Sequence, residues 1–192
     1  MFKSLSLKVI IFGFIFTFFS SFGQSFFLGL FNSSIRNELS ITYGQFGSIY
    51  ASATLLSSFV LVWIGKKIDD VNVIKFASYV IIFLSISCFI FSKISSVIFL
   101  FVGIFFMRLS GQGLTTHTAT TTISRFFEKS RGRALSTCWL GLSLAEFILP
   151  ANCFSFNIFK LERYLAYNFN YCNNNFTDSC IYIYKRCKTR HS

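Results

Sequence analysis

Five long apolar runs separated by short polar breaks constrain this chain more than any other feature. They extend from Val9 to Phe31, Tyr43 to Ile64, Phe76 to Ser92, Ile94 to about Thr122, and Leu135 to Pro150. A membrane-crossing helix needs roughly 20 mostly apolar residues. The runs are continuous and lack the period-two alternation of barrel strands, so they predict helices. The expected fold class is an all-α membrane protein with about five transmembrane helices over 1–150, followed by an irregular tail over 151–192. Composition agrees: 53% of residues are hydrophobic and only 13% charged, too little charge to cover a soluble domain of this length. A signal peptide competes for the first run, because Lys3 and Lys8 precede it and Ser21-Phe22-Gly23 resembles a cleavage site. The apolar sequence continues through Phe31, longer than an ordinary signal core, which favours a retained helix.

The net charge of +11 could mark a nucleic-acid binder. Position argues for a membrane instead, with the lipid bilayer as partner and no nucleic acid. Lys3 and Lys8 precede the first run, Lys66, Lys67 and Lys75 fall between the second and third, and Arg125, Lys129, Arg131 and Arg133 between the fourth and fifth. The alternate breaks hold only Arg36, offset by Glu38, and Lys93. Basic residues gather on the cytoplasmic side of membrane proteins, so the N-terminus is expected inside, in a membrane of the bacterial inner-membrane type.

Two clusters are more specific. Gly65-Lys66-Lys67-Ile68-Asp69 follows the second run. Arg108-Leu109-Ser110-Gly111-Gln112-Gly113 lies in the fourth, followed by Arg125-Phe126-Phe127 and Arg131-Gly132-Arg133-Ala134. From about residue 8 to Pro150 the chain resembles the major facilitator superfamily of transporters. The first cluster matches the opening of that family's G-x-x-x-D-R-x-G-R-R signature between helices two and three. The later half departs: Asp70 stands where the signature has a basic residue, Asn72 where it has Gly, and Val73 and Ile74 where it has two basic residues. Asn tolerates a left-handed φ better than other non-Gly residues, so a turn at Asn72 is expected to survive.

The resemblance implies an incomplete N-terminal six-helix bundle of a carrier that works by alternating access around a midplane site. It implies gating roles for Gly65 and Asp69, with the Asp69 carboxylate pairing to a basic residue at the end of the fourth span, Arg125 being nearest. The alternative is a charged pair that merely fixes loop geometry. No cofactor is expected, and the cargo expected is a small solute; the charges within the spans, taken next, point to a carboxylate and to proton coupling.

Arg108 is the leading candidate for substrate binding. A guanidinium always carries charge, and leaving it in lipid costs several kcal/mol, so it must face a cavity or a partner. Gln112 and Thr115 follow at helical offsets and extend a polar stripe. A planar fork suits bidentate contact with a carboxylate. The competing role is a structural ion pair with Glu146 in the fifth span, and a coupled carrier could use both. Gln24 could line the same cavity or simply bridge helices. His117, nine residues beyond Arg108, falls on the opposite face of a regular helix, which favours packing over a proton relay.

Composition changes after Pro150. The tail holds Cys153, Cys172, Cys180 and Cys187, an Asn triplet at 173–175, and a basic end at Lys185, Arg186, Lys188 and Arg190. Its cysteine spacing fits no zinc motif, and its charge would break the orientation rule. An out-of-frame translation explains this: codons with U in the second position encode Phe, Leu, Ile and Val, and reading them out of step scatters Asn, Tyr, Cys and Ser. On that expectation the product is truncated and not transport-competent alone. Removing one base near codon 150 should then open a frame running far beyond residue 192, with about seven further hydrophobic spans. A frame that soon stops would make the tail genuine, leaving a five-span binding or scaffold protein or a dimerising half-transporter. An enzyme is not expected, because no acid–base pair, metal cluster or nucleophile constellation stands out.

Overall fold

The structure, a computed structural model, describes residues 2–70 and 72–155. The tail cysteines from Cys172 onward and the basic end lie outside the described residues, as do the side chains of Lys67, Asp69 and Asp70. Every described element is helical: α1 (Phe2–Ser20), a 3-10 turn (Ser21–Gly23), α2 (Ser25–Leu30), α3 (Asn32–Leu39), α4 (Tyr43–Asp70), α5 (Val73–Ser92), α6 (Val97–Met107), a π segment (Arg108–Thr115), α7 (Thr116–Phe126) and α8 (Arg131–Ser155). These make five helices long and apolar enough to cross a membrane: Ser6–Leu30, Tyr43–Lys66, Lys75–Ser92, Val97–Phe126 and Arg131–Ala151.

Local chemistry sets the boundaries. At the start of α4 the Thr42 N–H donates to Gln45 Oε1 at 2.9 Å, and the Gln45 N–H donates to Thr42 Oγ1 at 3.3 Å. This reciprocal box satisfies two donors that a helix start otherwise leaves unbonded. Ser96 caps α6 through its hydroxyl oxygen, which accepts the Phe99 N–H, so the fourth span starts at Val97 and not at Ile94. Asn72 does not take up the left-handed conformation expected of it. Only Ser40, after α3, has positive φ among the described non-Gly residues (51°). The Asn72 carbonyl instead accepts the Phe76 N–H at 3.0 Å and opens α5 directly. The fifth span covers 21 residues, because α8 begins at Arg131 and continues through Pro150. A proline inside a helix removes one hydrogen bond, a loss that membrane helices accommodate when their neighbours re-satisfy the freed group.

The fourth span is the hub. Its segments α6, π and α7 contact α1, α4, α5 and α8 between them, while α1 packs along α8. Without a hydrophobic drive between helices in lipid, close approach over small residues and buried hydroxyls must hold such contacts. Both occur between α1 and α8. The Thr17 hydroxyl donates to the Cys138 carbonyl at 2.5 Å, and Gly141 lies against the Phe14 carbonyl. On the opposite side Gly103 of α6 accepts the Phe91 ring of α5. Leu55, Phe59, Val62 and Trp63 of α4 are exposed and give that helix an apolar outer face, as expected where the solvent is hydrocarbon.

Candidate functional site

Two interruptions of regular helix face each other inside the bundle. Span one breaks where α1 ends in the 3-10 turn, and Gln24 adopts extended backbone (φ −79°, ψ 156°) before α2 restarts. Its N–H donates to the Ser21 carbonyl at 3.0 Å, and its own carbonyl accepts the Leu28 N–H at 3.2 Å. Span four loosens into the π segment over Arg108–Thr115. The two irregular stretches pack together at a glycine pair. A Cβ placed on Gly111 would lie 2.6 Å from Gly23 N and 2.7 Å from Gly23 Cα. Irregular backbone at membrane depth persists only where protein or a water-filled cavity surrounds it, and single-turn π bulges occur frequently at functional sites.

Arg108, the first residue of the π segment, reaches across this junction. Its Nη1 donates to the Gly23 carbonyl at 3.1 Å and approaches Ser25 Oγ at 3.4 Å. The Tyr50 hydroxyl of α4 donates to the same Ser25 oxygen at 2.8 Å. The guanidinium carbon lies 5.4 Å from the Tyr50 ring centroid, within the range of cation–π attraction. Three spans therefore converge on one cation. The Nε of Arg108 is buried and has no hydrogen-bond partner. A buried donor without an acceptor costs about 1–3 kcal/mol, more beside a charge. An anion seated on the Nε side of the fork would recover that energy and match the charge.

The other sequence candidates divide. Gln112, half-buried, lies on the π segment with its backbone against Gly23. Gln24 forms the break itself, also half-buried. Thr115 is not part of a polar stripe beside Arg108: its buried hydroxyl donates to the Ser110 carbonyl five residues back at 2.7 Å, which stitches the π turn. Glu146 is exposed on α8, and Arg108 turns to Gly23, Ser25 and Tyr50 instead of pairing with it. Sequence reasoning missed Tyr50 and Ser25, whose polar atoms sit inside apolar runs and become visible only when span two meets the break.

A second polar contact joins spans two and four toward the Lys66 end. His117 Nε2 lies 3.1 Å from the Gly65 carbonyl, and Arg125 Nη1 donates to the Ile68 carbonyl at 3.4 Å. Arg125 thus reaches the residue preceding Asp69, whose side chain lies outside the described residues. The placement of His117 departs from the expectation of an opposite face, and the π segment explains the difference. Nine steps of about 100° leave Arg108 and His117 half a turn apart on a regular helix. A π turn closes through i→i+5 bonds and holds more residues, so each residue turns the chain less. Arg108 therefore comes within 5.4 Å of the Tyr50 ring and His117 bonds the Gly65 carbonyl, both on α4, although the hydrogen bonds of Arg108 go to span one.

Among the described residues no group of three or more His, Cys, Asp or Glu side chains gathers to hold a metal. Five helices long and apolar enough to cross a membrane define a multi-pass α-helical integral membrane protein. Compared with known proteins, the chain matches no family model, no curated protein and no solved structure.

Proposed function

We propose that residues 8–150 form part of the N-terminal bundle of a carrier of the major facilitator type, and that the junction of spans one, two and four binds a small anion, a carboxylate above all. The observation that carries this is the guanidinium of Arg108, held by Gly23, Ser25 and Tyr50 with its Nε donor unfilled. A charge placed inside a span at this energetic cost is a functional-site hypothesis by default. The break in span one supports the reading, because carriers of solutes commonly build midplane sites from discontinuous helices. In the family, alternating access uses two six-helix halves, and the role proposed for this bundle is solute binding within such a carrier. Gly65, Asp69 and Arg125 are assigned the gating region on the resemblance, and Glu146 proton coupling as the other charge within the spans. The composition and charge of the tail support its out-of-frame origin.

Binding is tested on the purified chain in nanodiscs, by thermal unfolding in acetate, lactate and benzoate against chloride at matched ionic strength. A ligand at about 100 times its dissociation constant stabilises the folded state by about 2.7 kcal/mol, so a bound carboxylate should raise the midpoint well beyond the chloride control. Identical midpoints in all four salts would remove anion binding from the site.

The orientation belongs to the same proposal: the N-terminus, Lys66 and Arg125 on the cytoplasmic side, motivated by the alternation of basic breaks. In a background whose own cysteines are replaced, a cysteine at Ser34, exposed on α3, should react with an impermeant maleimide in intact cells. One at Lys67 should react only after lysis. The reverse pattern overturns the orientation.

A further inference from the structure

We infer that His117 is a gate-positioning residue, a latch whose ring N–H grips span two and holds the basic ends of spans two and four together. The gating role rests on the carrier reading above; the contact itself does not. The Gly65 oxygen is a pure acceptor, so Nε2 must be the donor across the 3.1 Å separation. Gly65 is buried, and a Cβ there would lie 3.4 Å from both Cδ2 and Nε2 of His117, so the imidazole sits directly against the α4 backbone.

The position on α4 gives the contact its leverage. Three residues further on, the Ile68 carbonyl accepts the Arg125 guanidinium. Ile68 belongs to the last turn of α4, where carbonyls lack helical partners and positive charge is favoured. Span four thus holds the end of span two at two carbonyls about one turn apart, through side chains that both extend from α7. The π segment lies just before α7 and sets its rotation, and this brings His117 to α4. Rewinding that segment into regular helix would rotate His117 relative to Arg108, so the Gly65 and Gly23 carbonyl contacts could not both be kept. The same winding therefore couples the latch to the anion junction, which is what a gate linked to its cargo site requires.

Hydrogen–deuterium exchange on the full chain in nanodiscs tests the latch without any ligand. Two variants separate a donor from a space-filler: His117→Gln keeps an N–H near the position of Nε2, and His117→Leu keeps bulk but cannot donate. Loss of one hydrogen bond should speed exchange of the amides over residues 65–70 of α4 by between about twofold and about tenfold in His117→Leu. Peptides of α1 and α8 should stay at wild-type rates, and His117→Gln should remain within about twofold of wild type throughout. Unchanged exchange at the end of α4 in His117→Leu, or equal acceleration in both variants, overturns the latch and leaves His117 as packing. A negative result here does not touch anion binding at Arg108. Failure of every carboxylate to stabilise the chain, with this exchange pattern intact, would strike the carrier reading and leave a helix-to-helix contact.

Discussion

Arg108→Lys should lose most of the stabilisation that a small carboxylate gives the wild-type chain, while its unfolding midpoint without ligand changes little. Lysine keeps the charge, and its compact ammonium can still hold the Gly23 carbonyl that Nη1 now reaches at 3.1 Å. It lacks the planar fork and the Nε donor. A charge-assisted hydrogen bond contributes about 1.5–3 kcal/mol, so losing one arm of a bidentate contact should weaken binding by about tenfold to about a hundredfold. Arg108→Ala goes further. It removes the cation and frees the Gly23 carbonyl, so both ligand response and basal stability should fall. Tyr50→Phe separates the wall of the site from its hydrogen bond: the ring stays, the donor to Ser25 disappears, and binding should weaken by less than in Arg108→Lys. Carboxylate stabilisation undiminished in Arg108→Ala would exclude Arg108 from the site.

Which parts of this architecture the sequence reveals follows from the physics of each signal. The five spans are legible because insertion into hydrocarbon demands long apolar stretches. Their ends depend on particular polar atoms. Ser96 moves the start of span four to Val97 by capping α6, and α8 reaches back to Arg131 because membrane length does not limit helix length. Arg108 is legible as a site because a guanidinium within a span carries an energetic penalty that demands a partner. Its partners are not legible. Glu146 is the complementary charge in the sequence, whereas the fold supplies a backbone carbonyl, a serine and a tyrosine ring. That substitution originates in the break at Gln24, which exposes the Gly23 carbonyl, and in the π winding after Arg108. Neither has a hydrophobic period to betray it. The glycines of Gly111-Gln112-Gly113 were a usable hint, since they permit close approach and a loosened turn. The position of His117 was lost for the same reason, because face arithmetic assumes about 3.6 residues per turn throughout.

Gly23→Ala should be among the most destabilising single methyl additions in the bundle, with a loss of about 3 kcal/mol or more. Gly23 needs no unusual backbone angle, since no glycine described has positive φ; what it needs is space. The added Cβ would meet the Met107 carbonyl and the Gln112 nitrogen, and would lie 2.8 Å from Gly111 Cα. Overpacking typically costs 1–3 kcal/mol when side chains can adjust. Here the obstacles are backbone atoms at the end of α6 and in the π segment, and nothing can rotate aside. Spans one and four must separate, and the Gly23 carbonyl withdraws from Arg108. The variant should therefore lose its carboxylate response together with its stability, although it alters no charged or polar side chain. Gly111→Ala should behave alike, because its Cβ would meet Gly23 N and Cα from the other side. Gly29→Ala and Gly47→Ala serve as controls. Beyond the local helix backbone no atom lies within 4 Å of either Cβ position, and alanine favours helix over glycine by about 1 kcal/mol, so both should be neutral or slightly stabilising. The measurement is the unfolding midpoint of the four variants in nanodiscs, with and without carboxylate. A Gly23→Ala chain as stable as the Gly29→Ala control would mean that spans one and four do not meet at this glycine pair, and the junction on which Arg108 is placed would fall with it.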